Sequence, residues 1–325
     1  MIATITLNPS LDEDIFVDGL VLDEANRWVR LRRYPGGKGI NVSRAIHEMG
    51  DMTVAYGLIG GPVGRTVEIL LDEEGVLYSF TPIEQETRTN FIITDTRSLN
   101  QTRIDAPGPH VSRRELERFL KKIRKIPSPD LVAIGGSMPP NVPLSLYAEI
   151  IKEYKKRGIR TIFDTEGQWL DEGVKTKPYL IKPNLREAAR LLGRKLDSEE
   201  EIIRAARELV KDGIEIAVIS RGKDGVIAAS KTDVIKAIPP TVKVRGTVGA
   251  GDCTVAGLAL KLAYGGSLIE ACRLGVAMGT ACVLRPGVEL CHKPDVGKLL
   301  PQIKVYKMVI GQGTKTFVPI SYVPK

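Results

Sequence analysis

The sequence predicts an α/β fold, a doubly wound parallel sheet in three layers carrying a small β-sheet lid, on three observations. Short apolar runs rich in β-branched residues alternate with amphipathic segments of helical length, the arrangement of a parallel sheet covered on both faces. The loops that follow those runs concentrate Gly, Pro, Asn and Asp. Two further stretches break the rhythm with short alternating runs of their own.

Strands are expected at ATITL (3–7), MTVAYGLIG (52–60), DLVAIGG (130–136), RTIFD (160–164), YLIKPN (179–184) and EIAVIS (215–220). Helices are expected at about 38–49, 64–75, 112–125, 143–157, 185–193 and 198–212. Ligands of such sheets sit beyond the carboxyl ends of the strands, where LNPSLDED, GGSMPPN, KPNLRE and SRGKDG fall. Turn chemistry alone accounts for any one of these loops; that they share one rim argues for a site. The interrupting stretches, about 12–34 and 87–105, read as antiparallel strand pairs that form a lid above the rim. The outer face of so small a sheet needs cover, which predicts a homodimer through the lid. The main domain then spans 1–304, and the tail at 305–325 resembles a hairpin around GQGT with no functional reading.

Composition narrows the classes. The 325 residues are 43% hydrophobic and 26% charged, an ordinary globular balance with ample material for a core. No run approaches the ~20 apolar residues of a membrane helix, and MIATITLNPSLDEDIF lacks the basic start and apolar stretch of a signal peptide. A cytoplasmic protein with no membrane partner is expected. The net charge of +8 suits an anionic partner. Nucleic acid is not favoured, because aromatics are only 5% and no basic tract interleaves with them; a phosphorylated small molecule fits the charge equally well. Cys253, Cys272, Cys282 and Cys291 are widely spaced without a C-x-x-C pair, and His292 has no partner at ligand spacing. Reduced, buried thiols are expected rather than a metal site or disulfides.

The stretch with the most chemistry is GTVGAGDCTVAG (246–257), where an apolar run gives way to a helix apolar on nearly every face. Gly249 and Gly251 lie at the amino end of that helix, where unpaired amides and the dipole favour an anion. Asp252 is either a charge that suits a helix amino terminus or a carboxylate placed to orient and deprotonate a hydroxyl that attacks the anion. The glycines at 36–39 are not followed by the G-K-[ST] of a Walker A loop, and G-x-G-x-x-G is absent, so a dinucleotide oxidoreductase is disfavoured.

Through PGGKGINVSRA (35–45) and GTVGAGDCTVAGLAL (246–260), the chain resembles the ribokinase-like (PfkB) family of sugar kinases over about residues 1–304. The resemblance implies ATP and Mg²⁺ as cofactors, Asp252 as catalytic base, and an anion hole formed by the Gly249, Ala250 and Gly251 backbone. It matches Asn184 and Glu187 to a pair that holds Mg²⁺ largely through water, although a helix cap and its capping-box partner would look the same. Lys182 is implied for the triphosphate, and Ser220, Arg221, Gly222 and Gly225 for the nucleotide side. Asp12, Gly37, Asn41 and Ser137 match sugar-binding positions, and Arg27, Arg88, Arg103 and Lys38 are the candidates for a substrate phosphate. N-R at 26–27 and GGKG look like the fructose-1-phosphate and tagatose-6-phosphate enzymes of the family, whereas IPPTVKVRGTVGAGD and GVELC look more like its minor bacterial 6-phosphofructokinase type. That type has a lysine where Ala25 stands and a glycine where Lys38 stands, and Gly135 and Asn141 replace a commoner serine and glycine. The acceptor implied is a phosphorylated ketohexose, fructose 6-phosphate first, with fructose 1-phosphate and tagatose 6-phosphate as alternatives.

Overall fold

The computed structural model describes residues 1–98, 100–311 and 314–321. The first half of the chain forms β1 (Ile2–Thr6), β2 (Ser10–Val17), β3 (Trp28–Gly36), α1 (Lys38–Glu48), β4 (Thr53–Ile59), α2 (Gly61–Glu74), β5 (Leu77–Tyr78), β6 (Thr81–Pro82), β7 (Arg88–Asp95), β8 (Gln101–Ile104) and α3 (Arg113–Arg124). There follow β9 (Leu131–Gly135), α4 (Leu146–Lys156), β10 (Thr161–Asp164), α5 (Gly167–Val174), β11 (Leu180–Ile181), α6 (Leu185–Leu191), α7 (Glu199–Lys211) and β12 (Ile216–Ser220). The remainder holds β13 (Val226–Ala229), β14 (Val234–Ile238), α8 (Ala250–Ala263), α9 (Leu268–Val283), α10 (Lys293–Leu299), β15 (Lys304–Gly311) and β16 (Thr314–Ile320).

Every expected strand and helix is present, with shifted ends that have local causes. The YLIKPN strand shrinks to two ladder residues because Pro183 has no N–H and Asn184 already caps α6. Helix α2 starts earlier than expected, at Gly61, with Pro62 in its first turn, where a missing N–H costs nothing.

Strands β5, β4, β1, β9, β10, β11 and β12 lie side by side and parallel. Chain order reverses direction between β1 and β9, so the carboxyl ends of these two central strands flank the crevice where such sheets bind ligands. Beyond β12 the sheet continues antiparallel through β13 and β14, an extension the alternation of strands and helices did not announce. The tail completes it: β15 pairs with β14 and β16 with β15, so the expected hairpin is the edge of the main sheet. Its tip, Gln312 and Gly313, lies outside the described residues.

One face of the sheet packs on α1, α8, α9 and α10, the other on α3, α4, α6 and α7, each through a continuous apolar cluster. The tightest crossing is α8 on α9. A Cβ on Gly257 would stand 2.6 Å from the Gly275 backbone, so no larger residue fits there. All four cysteines are buried and free, as expected. Among the described residues no helix is long and apolar enough to cross a membrane.

The two lid stretches join into one four-stranded sheet. The hairpins β2–β3 and β7–β8 are antiparallel, and β2 pairs parallel with β7 from Ser10↔Arg88 to Val17↔Asp95. Alternation then sorts the side chains. Asp12, Asp14, Asn90 and Thr94 are buried on the inner face, while Phe91 and Ile104 remain exposed on the outer one.

Candidate active site

The amino end of α8 sets the geometry. Gly249 is its N-cap in the left-handed region at φ 82°, and a Cβ there would meet Leu290 at 2.6 Å, so both conformation and space call for glycine. Ala250 N–H makes a long turn bond to Thr247 O at 3.4 Å, and Cys253 N–H bonds to Gly249 O at 2.8 Å. The amides of Gly249, Gly251 and Asp252 find no acceptor among the described residues. Free donors at a helix amino end suit an anion.

Asp252 projects from this turn and is buried. Asn41 Nδ2 donates to its Oδ2 at 2.8 Å, and Lys38 Nζ lies 3.8 Å from its Oδ1. Both partners come from the first turn of α1, three residues apart on one face. The Asn41 amide is turned correctly because Arg44 Nη1 donates to its Oδ1 at 3.5 Å. Burial, reinforced by Asp164, pushes the Asp252 carboxyl up to about 6 against the pull of Lys38 and Asn41.

Asp164, the last residue of β10, completes the group. Its Oδ2 accepts from Lys38 at 3.0 Å and its Oδ1 lies 3.4 Å from Lys182 Nζ. Burial raises its carboxyl, but Lys182 and Lys38 outweigh that and hold it below the ordinary range. Burial likewise disfavours charge on Lys38, and Asp164 and Asp252 together hold its ammonium above the usual range. Lys182 reaches the amino end of α8: a Cβ on Gly251 would stand 3.5 Å from its Nζ. The sequence reading passed over Asp164, although a lone acid closing an apolar strand at the rim is a usable signal.

Asn184 and Glu187 form the reciprocal cap that the sequence allowed. Asn184 N–H donates to Glu187 Oε2 at 2.8 Å, and Glu187 N–H to Asn184 Oδ1 at 2.9 Å. Burial raises the Glu187 carboxyl, with Asp164 adding to it, and no partner for Glu187 Oε1 is found among the described residues. One carboxylate oxygen left free beside an amide suits Mg²⁺, which keeps most of its waters and needs few protein ligands.

Ser220 ends β12 and is bridged to Asn184. Arg221 turns away into an ion pair with Glu199 at 3.1 Å, and Gly222–Asp224 form a single 3₁₀ turn closed by Gly225 at φ 75°.

On the lid side, Asp12 Oδ1 accepts from Ser10 Oγ at 2.7 Å and from Asn90 Nδ2 at 2.9 Å, and burial raises its carboxyl. It packs on Gly36, immediately before Gly37, the N-cap of α1. Arg88 donates to Ala106 O at 2.8 Å and to Asn8 O at 3.1 Å, and Arg103 Nη2 pairs with Asp105 at 3.0 Å. Ser137 Oγ accepts from Asn8 Nδ2 at 3.1 Å. Arg27 is not brought to this group. It lies beyond the Val17↔Trp28 pair, at the far end of the lid hairpin from the Ser10↔Gly36 pair that leads into α1. The sequence reading also missed Asp14, whose buried Oδ2 has no hydrogen-bond partner among the described residues and faces the backbone of Gly287. Beside it Arg32 of the lid pairs with Glu289 of the body at 3.1 Å.

The model of the pfkB family carbohydrate kinases matches residues 5–295. The chain is 33% identical to a 1-phosphofructokinase of Bacillus subtilis over 95% of this chain and 100% of the relative. It is 34% identical to the ATP-dependent 6-phosphofructokinase isozyme 2 of Escherichia coli over 92% of this chain and 97% of the relative. The solved structure of phosphofructokinase-2 from Escherichia coli in complex with substrates and products superposes with a TM-score of 0.89 at 34% identity, covering 92% of this chain and 98% of the other. With the match running from the first strand to α10, the chain belongs to the pfkB family of carbohydrate kinases and is a sugar-phosphate kinase, a phosphotransferase whose acceptor is an alcohol group.

Proposed function

We propose that this chain transfers the γ-phosphoryl group of MgATP to a hydroxyl of fructose 6-phosphate, giving fructose 1,6-bisphosphate. The observation that carries the reading is a buried carboxylate, Asp252, held by Asn41 beside free amides at the start of α8. A carboxylate in that place orients the acceptor hydroxyl in line with the γ-phosphorus. As the new O–P bond forms and the bond to ADP breaks, the hydroxyl proton passes to Asp252. The Gly251 and Asp252 amides receive the charge on the transferring group, and Lys182 stands beside them. Asn184 and Glu187 would hold Mg²⁺, which when bound neutralises charge on the β- and γ-phosphates.

The sugar enters between α1 and the lid. Asp12 and Asn41 are the hydroxyl partners, and the inner lid supplies Arg88 and Arg103 for its phosphate. Closure then excludes water, which would compete as acceptor. Relatives named for 1-phosphofructokinase and 6-phosphofructokinase are about equally similar, so fructose 1-phosphate is the second reading and tagatose 6-phosphate the third. ADP release measured with each phosphosugar and with free fructose tests the choice. A kcat/KM at least ~10-fold higher for fructose 6-phosphate supports the reading; preference for free fructose overturns the lid arginines as a phosphate site.

The exposed outer lid face, with Phe91 and Ile104 side by side, supports a homodimer formed there. Phe91→Asp should give monomers in sedimentation if it does.

A further inference from the structure

Among the buried charges of the site, Asp164 has no part in the chemistry above, yet its two oxygens are divided between two lysines from different elements. Lys38 from α1 takes Oδ2 at 3.0 Å, and Lys182 from the end of β11 faces Oδ1 at 3.4 Å. Lys38 is also the cation nearest Asp252, but at 3.8 Å it sits closer to Asp164 than to the base. Two carboxylates thus compete for one ammonium at the point where the acceptor hydroxyl must reach Asp252.

We propose that Asp164 is a positioning residue: it holds Lys38 back from closing an ion pair on Asp252 and aims Lys182 at the amino end of α8. The inference rests on Asp252 being the base. The remaining groups around Asp252 are few. Lys38 and Asn41 face it from α1, Asp164 from β10, Lys182 lies beside its helix turn, Cys253 follows it on α8, and Glu187 of α6 interacts with Asp164, Lys182 and Lys38. With Asp164 uncharged, Lys38, already 3.8 Å from Asp252 Oδ1, is the cation placed to move onto it. A tight pair there would favour the ionised base and occupy the oxygen the acceptor hydroxyl needs.

The test is the pH dependence of kcat in Asp164→Asn, alone and combined with Lys38→Met. In the single variant the acid limb should move down by about one pH unit, and KM for ATP should rise as Lys182 loses its anchor. In the Lys38→Met background the direct repulsion of Asp252 by Asp164 is still relieved, so the limb should still move down, but by less than in the single variant, because the part carried by the lysine is gone. Asp164→Glu, which keeps the charge and the bridge, should restore the limb and guards against loss of folding in the Asn variant. An acid limb unmoved by Asp164→Asn, or moved equally with and without Lys38, would overturn the proposal. Absence of turnover with any phosphosugar in the unaltered enzyme would instead overturn the proposed function.

Discussion

The body and the lid each bury a carboxylate beside the cleft, Asp252 and Asp12, and they compensate them by different means. Around Asp252 the answer is charge. Lys38 and Lys182 face Asp252 and Asp164, a four-membered group in which signs balance. Around Asp12 the answer is hydrogen bonding from the neutral groups of Ser10 and Asn90, while Arg88 and Arg103 are drawn to backbone carbonyls and to Asp105. The body cluster rests on strand ends and helix amino termini anchored in the two apolar clusters that flank the sheet. The lid group rests on the pairing of two hairpins distant in sequence. A rigid charged group suits bond making, where misplacement by 1 Å is costly. A hydrogen-bonded group on a separate small sheet suits recognition and release.

The sharpest way to break this contrast is at the proposed base. Asp252→Ala should lower kcat by about 10²–10⁴-fold with little change in ATP affinity, because the Gly251 amide and Lys182 remain. A variant keeping more than about a tenth of the activity would remove Asp252 from the chemistry and make it a helix charge only.

The second test lies in the lid. Arg88→Ala should raise KM for the phosphosugar by about 10–100-fold, the range for a charged hydrogen bond, and leave KM for ATP nearly unchanged. Since Arg88 also ties Asn8 to Ala106 through their carbonyls, a fold-wide role is a real competitor. An equal rise in both constants would assign the residue to holding the lid in shape.

The same division explains what could be read from the sequence. The body site was legible because its parts are local: Gly249 to Asp252 fall within one helix turn, Lys38 and Asn41 within another, and Asn184 with Glu187 within a third. Asp164 was hidden by its place at the end of an apolar strand, where it read as the last residue of a run. The lid was legible as strands, and its candidate site residues only through the family resemblance. Its strand pairing brings Ser10 to Arg88 across the intervening α1, β4 and α2, and no spacing in the chain announces that register. For the same reason the grouping of Arg27 with Arg88 and Arg103 does not follow from their shared membership of the lid, since Arg27 sits at its far end.

A pH profile sharpens the contrast from the body side. With the Asp252 carboxyl raised to about 6, kcat should fall as pH drops through that value, because the base becomes protonated. Lys38 lowers the Asp252 carboxyl, so Lys38→Met should move the acid limb up, by about one unit or less given the 3.8 Å separation. A limb that stays in place would mean that Lys38 acts on the phosphosugar and not on the base.

The smallest effect, and the one that reports on closure itself, is at Asp14. Its carboxyl is raised to about 6, chiefly by burial, while Arg30 and Thr94 oppose. That burial exists only where the lid packs on the body, since Asp14 Oδ2 faces the Gly287 backbone. The folded protein therefore binds the Asp14 proton more tightly than the unfolded chain, whose Asp titrates near ~3.9. Stability contributed by that proton is present below the unfolded value and is lost as pH rises through about 6. Asp14→Asn removes the titration but keeps the shape. The stability of the variant relative to the parent should thus rise between pH 4 and pH 7, by at most about 3 kcal/mol. Asp12 and Asp252 titrate in the same direction, but they are common to both proteins and cancel in the difference. A difference that stays flat with pH would mean that Asp14 is hydrated in solution. The lid would then stand open in the free enzyme and close only on its sugar.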